Sequence, residues 1–128
     1  ASRVIVLDAS AFIDAVDGRH AVVERLAGED IHAPHLLDVE VMSALRRLVA
    51  AGRLDSQRAM QALHLLEQGD IQRHPHTPLL DIAWSLRDRV SAYDAAYVAL
   101  AAVLDAPLVT SDRTLARATG LPCEIDVY

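Results

Sequence analysis

Two hydrophobic rhythms alternate along this chain. Unbroken runs of aliphatic and β-branched residues read as strands covered on both faces, as in a parallel sheet; Val4-Ile5-Val6-Leu7 and Leu108-Val109-Thr110 are the clearest. The longer stretches between them carry apolar residues at helical spacing. Phe12, Ile13 and Val16 predict a short helix stopped at Asp17-Gly18, and a second helix follows from Arg19 to Ala27, closed by Gly28. Ile31 to Ala33 reads as a short strand ended by Pro34, which a central ladder tolerates poorly.

A longer helix opens near Leu36, with Leu37, Val41, Leu45 and Leu48 as its core stripe and Glu40, Ser43 and Arg47 on the neighbouring face. Asp55 reads as the cap of the next helix, whose inward positions are Ala59, Leu63 and Leu66 before Gly69. Ile71 centres a weak edge strand. The prolines of His74-Pro75-His76-Thr77-Pro78 predict an irregular connection. Leu79, Ile82 or Ala83, Leu86 and Val90 mark another helix, and Ser91 caps an alanine-rich one from Ala92 to Leu104. A last helix over Thr114 to Thr119 and an edge strand over Cys123 to Ile125 complete the chain. Strands alternating with helices predict an α/β fold with a mainly parallel sheet and helices on both faces, a three-layer α/β/α sandwich.

Composition narrows the function. The 128 residues suit a single domain over 1–128 with a sizeable core. No apolar run approaches the roughly 20 residues of a membrane span, and the start lacks a signal-peptide layout, so a soluble, cytoplasmic protein is expected. All 12 basic residues are arginine, which excludes lysine-dependent chemistry, and the formal charge is -6. A net acidic chain repels nucleic acid at long range, so binding one requires a local arginine patch or bound cations. Cys123 is the only cysteine, which excludes an internal disulfide and a multi-cysteine zinc site.

The sheet rule then gathers four acids. In right-handed strand-helix-strand crossovers each helix starts near the carboxyl edge of the sheet. Asp8 and Asp112 directly follow buried strands, and Glu40 and Asp94 lie in the opening turns of their helices, so all four are expected on one rim. Singly, Asp8 reads as a turn or cap residue, Glu40 as a solvated helix residue and Asp94 as a first-turn acid. Together they form a repelling cluster that a divalent cation would relieve. Oxygen-only donors favour Mg²⁺ or Mn²⁺ over zinc. Two such ions about 3.5–4 Å apart would activate a water and clamp a phosphodiester, which is nuclease chemistry.

The residues Val4-Ile5-Val6-Leu7-Asp8-Ala9-Ser10, Asp38-Val39-Glu40-Val41 leading into Ala44-Leu45-Arg46-Arg47, Tyr93-Asp94-Ala95-Ala96-Tyr97-Val98-Ala99-Leu100-Ala101 and Leu108-Val109-Thr110-Ser111-Asp112 run the length of the chain. In order and spacing they resemble the PIN-domain ribonucleases, more narrowly the VapC toxins of type II toxin-antitoxin pairs. The resemblance implies a sheet of order 3-2-1-4-5 and an endoribonuclease whose quartet Asp8, Glu40, Asp94 and Asp112 is catalytic and holds Mg²⁺ or Mn²⁺. It implies supporting roles for Ser10 and Thr110, and for Ser43 where relatives often carry asparagine; Ala9 stands where many have threonine. It further implies RNA as substrate, a cognate antitoxin covering the groove, and a homodimer. Arg46, Arg47 and Arg113 are candidates for substrate phosphate contacts, since guanidinium groups pair bidentately with phosphate; the alternative is ordinary surface charge.

Other chemistries find less support. His74 and His76 could ligate a transition metal but lack a third ligand nearby, and His20, His32, His35 and His64 are scattered. The chain holds no G-x-S-x-G elbow and no phosphate loop. Receiver domains require a lysine, and a haloacid-dehalogenase-like site would need an acid where Ser10 stands. The remaining rival is a non-catalytic RNA- or antitoxin-binding module on the same fold.

Overall fold

The computed structural model describes residues 3–128. Its centre is a five-stranded, all-parallel sheet: β1 (Val4–Leu7), β2 (Asp30–Pro34), β3 (Ile71–His74), β4 (Leu108–Thr110) and β5 (Ile125–Val127), in the order β3-β2-β1-β4-β5. The expected order is thus the observed one. β1 is central because it has no polar side chain to place in water: Ile5, Val6 and Leu7 are at most 1 % exposed. Ile5 stands opposite Ile31 of β2, and Val6 opposite Leu108 of β4. Burying each such side chain is worth about 1.5–3 kcal/mol.

Seven helices fill the connections: α1 (Ala9–Val16), α2 (His20–Leu26), α3 (Leu36–Ala50), α4 (Ser56–Gln68), α5 (Leu80–Ser85), α6 (Ala92–Leu104) and α7 (Arg113–Arg117). From β1 the chain steps outward through β2 to β3, then returns across the sheet to β4. Right-handed crossovers therefore put α1 to α4 on one face and α5 and α6 on the other. α6 packs across β1, β2 and β4, and α1 packs on α3. The alanines of α6 allow that close approach: Ala95, Ala99 and Ala101 are buried beside Tyr97, Val98 and Leu100.

Boundaries differ from the sequence expectation where local chemistry overrides spacing. The helix expected over Leu79 to Val90 is a 3-10 turn, Thr77–Leu79, followed by the short α5. Pro78 fits that first turn, where its missing N–H leaves no bond unmade, so the connection is partly regular after all. α5 ends at Ser85, whose hydroxyl donates to the Ile82 carbonyl, and the chain turns through Leu86 to Val90. Leu79 and Leu86 are buried as the stripe required. α7 ends at Arg117, before Thr119, and β5 lies over Ile125–Val127 instead of Cys123 to Ile125 because Leu108, Val109 and Thr110 of β4 pair with it there.

Candidate active site

The order of the sheet reverses between β1 and β4, and at such a switch point the loops beyond the two strands diverge and leave a crevice at their carboxyl ends. Asp8 and Asp112 begin those loops. Each also caps the helix that follows: Asp8 Oδ1 accepts from the Ala11 amide at 3.0 Å, and Asp112 Oδ1 from the Thr114 amide at 2.9 Å and its hydroxyl at 2.6 Å. The cap reading of Asp8 thus holds, and the same side chain also lines the crevice.

Asp8 is 7 % exposed, and three donors hold its carboxylate. Besides Ala11, the Ser10 hydroxyl donates to Oδ1 at 2.7 Å, and the Thr110 hydroxyl donates to Oδ2. Ser10 and Thr110 in turn fix the far side of the crevice: Ser10 Oγ accepts from the Ser111 amide and Thr110 Oγ1 from the Asp112 amide, each at 3.0 Å. The two hydroxyls thus tie Asp8 to the β4 loop. Burial pushes the Asp8 carboxyl above the usual range, the three hydrogen bonds oppose that rise, and the Asp94 charge adds to it.

The other two acids arrive on helices. Ser91 caps α6 by accepting from the Asp94 amide at 3.1 Å, which sets the first turn carrying Asp94. Its carboxyl is raised by burial and then by the charges of Asp112 and Glu40, so acids far apart in sequence act on one another. Glu40 projects from α3. Asp8, Glu40, Asp94 and Asp112 line a single cleft of about 310 Å³ with Ser10, Ser43, Arg47 and Tyr97. Of the expected residues, Ser43 lines this cleft and receives a hydrogen bond from Arg47 at 2.9 Å. Arg47 lines the cleft; Arg46 and Arg113 are exposed and do not.

Two residues here carry no sequence signal of their own. Tyr97 is 2 % exposed and lines the cleft, and its buried hydroxyl has no hydrogen-bond partner among the described residues. Burial first, and then the Glu40 carboxylate, which stands near enough to act on the phenol but does not meet hydrogen-bonding geometry with it, push it far above the ordinary value. Its position three residues after Asp94, on the same helical face, was the available clue. Arg53 lines a second cavity that shares Ser10, Ile13, Ala44 and Arg47 with the acidic cleft and so extends it along α1 and α3.

The cleft is not a closed cage: among the described residues no three His, Cys, Asp or Glu side chains stand close enough together to hold an ion as they are. Its donor set nevertheless fits a hard cation. All four candidates offer oxygen, like charges that repel across an open cleft leave room for retained waters, and Mg²⁺ typically takes only one or two carboxylates. Asp8 Oδ2 and Asp112 Oδ2 also keep acceptor capacity, since the capping bonds fall on Oδ1.

The histidines do other work. His32 Nδ1 and His74 Nε2 share a hydrogen bond at 2.8 Å, and His76 Nε2 accepts from the Leu36 amide at 3.0 Å at the start of α3. Cys123 is half-buried, and burial pushes its thiol up to about 11, which disfavours the thiolate.

Comparison with known proteins agrees with the fold. The model of the PIN domain matches residues 5–121. The chain is 49 % identical over 125 residues to "Ribonuclease VapC1" of Mycobacterium tuberculosis, covering 94 % of each, and 39 % identical over 123 residues to "VapC ribonuclease Mb0985" of Mycobacterium bovis, covering 96 % of this chain and 97 % of that one. Among solved structures it resembles VapBC-5, a member of the VapBC family of toxin-antitoxin systems from Mycobacterium tuberculosis, at a TM-score of 0.65 and 26 % identity over 98 % of both chains. PAE2754 from Pyrobaculum aerophilum gives a TM-score of 0.73 at 26 % identity, over 98 % of this chain and 84 % of that one.

Proposed function

Since the chain belongs to the PIN-domain family, we propose that it is a ribonuclease, the toxin of a toxin-antitoxin pair, which cuts RNA phosphodiester bonds internally with Mg²⁺ or Mn²⁺ at its acidic cleft. The observation that carries this reading is the meeting of Asp8, Glu40, Asp94 and Asp112, from four separate elements, in one cleft where β1 adjoins β4. The 49 % identity to a VapC ribonuclease over 94 % of each chain supports the class of reaction.

In this reading one or two of the four carboxylates would hold the cation directly and the others through retained waters, and the ion when bound would supply an activated water and neutralise charge on the phosphate. The chain's own part is orientation and charge. Ser10, Thr110 and the Ala11 amide favour the ionised form of the Asp8 carboxylate against the cost of burial and fix its orientation at the cleft. The capped starts of α1, α6 and α7 hold three of the acids in register. Arg47 meets the phosphate beside them, and Arg53 meets the strand where it leaves along α1 and α3. The same reading carries a homodimer in the cytoplasm and an antitoxin that covers the cleft, the latter supported by likeness to a VapBC-family structure. No helix among the described residues is long and apolar enough to cross a membrane.

The test is cleavage of a labelled RNA by purified protein with Mn²⁺ or with chelator. Asp8→Asn and Asp94→Asn are each expected to lose at least about 100-fold in rate, equivalent to roughly 3 kcal/mol of transition-state stabilisation. Undiminished cleavage by both variants would assign the cleft to a binding module instead.

A further inference from the structure

Tyr97 is the group in the cleft whose state makes least sense without a ligand. Its ring belongs to the core of α6 and the residue lines the cleft, yet its hydroxyl is buried and unpartnered among the described residues. A buried hydroxyl left without a bond costs about 1–3 kcal/mol, and a phenylalanine would fill the same space at no such cost. The structure around it points to the partner it is built to take. Asp8 already receives bonds from Ser10, Ala11 and Thr110. Asp112 is engaged by Thr114, and Asp94 lies one turn earlier on the helix that carries Tyr97. Glu40, on α3, lines the same cleft as Tyr97 and is the longest and most adaptable of the four acidic side chains.

Resting on the metal-dependent reading above, we propose that Tyr97 is a positioning residue: its hydroxyl donates a hydrogen bond to the Glu40 carboxylate when the cleft takes up a divalent cation, and so selects the oxygen Glu40 presents to the ion. Such partners behind a ligand typically change metal affinity by about 10–100-fold when removed, because an unheld carboxylate must be ordered at the moment of binding. The phenol itself contacts neither the ion nor the RNA in this assignment. It also accounts for a tyrosine at a position where the rest of α6 buries only Ala, Val and Leu.

The experiment is calorimetric titration of chelator-stripped protein with Mn²⁺ alone, on the parent, Tyr97→Phe, Glu40→Gln and the double variant, with thermal melts in chelator beside it. Tyr97→Phe is expected to melt at or above the parent temperature without metal, since it removes an unpaired hydroxyl, and to bind Mn²⁺ about tenfold more weakly. In the Glu40→Gln background the same change should cost less than about twofold, because the bond it removes runs through the carboxylate. An affinity within twofold of the parent in Tyr97→Phe would overturn the assignment, and so would a tenfold loss that persists when Tyr97→Phe is added to Glu40→Gln. A parent protein that binds no Mn²⁺ would sink the metal reading itself, and this inference with it; a parent that binds and cleaves while Tyr97→Phe matches it would sink the inference alone.

Discussion

Asp8 serves the fold and the site with opposite signs. As a cap it stabilises α1; as a buried charge beside Asp94 it destabilises the fold, since burial raises its carboxyl above the usual range. A group whose folded value is raised weakens the fold where it is ionised, so the penalty is full above the raised value and fades as pH falls through it toward the ordinary range near 4. Asparagine keeps most of the bonding pattern: its oxygen still accepts from Ala11 and Ser10, and its amide can donate to the Thr110 hydroxyl. In chelator, Asp8→Asn is therefore expected to melt a few degrees above the parent at about pH 7.5, with the difference shrinking toward about pH 5. Scanning fluorimetry at the two pH values reads this directly. A variant that melts lower at both would mean that the hydrogen bonds of the carboxylate outweigh its desolvation.

At the scale of elements, capping decides where the acids stand. Ser91 and Asp55 make equivalent bonds at the starts of α6 and α4, at 3.1 and 2.8 Å, but only α6 carries a site acid in its first turn. Ser91→Ala and Asp55→Ala should each cost about 1 kcal/mol of stability. Only Ser91→Ala should also weaken Mn²⁺ binding, by several-fold in a calorimetric titration, because the turn that frays is the one holding Asp94. Equal loss of affinity in both would reduce the effect to general destabilisation. The same elements show what is legible in the chain alone. Val4 to Leu7 and Leu108 to Thr110 stand out by lacking polar alternation, and the acids follow from the crossover rule without any knowledge of contacts. What stays hidden is local: spacing makes α5 longer than it is because the stripe of Leu79, Leu86 and Val90 continues through turns that bury the same faces. Tyr97 escapes notice because a buried aromatic in a core helix has no pattern to separate packing from positioning; the distinction lies in one unpartnered hydroxyl, which only coordinates reveal. Helical spacing puts Ser43 and Arg47 on the right face, but their bond to each other is invisible to it.

For the whole molecule the difficulty is charge. A chain of formal charge -6 must approach a polyanion through a cleft that is itself acidic. Two cationic side chains, Arg47 and Arg53, flank the extended cleft, and they cannot offset four carboxylates there. RNA affinity should thus depend on divalent cation more than on a basic surface. With Ca²⁺ as a hard oxygen-seeking ion, binding of a short single-stranded RNA, followed by fluorescence anisotropy, is expected to tighten at least about tenfold over chelator, or roughly 1.4 kcal/mol. Each phosphate neutralised by a side chain adds about 0.7 to the slope of log affinity against log salt, so a slope near 1–2 is expected, and Arg47→Ala or Arg53→Ala should lower it by close to one such step. Arg113→Ala, outside the cleft, should leave it unchanged. A steep slope that ignores Ca²⁺ would mean the strand lies on an arginine surface elsewhere, and the acidic cleft would then need another explanation.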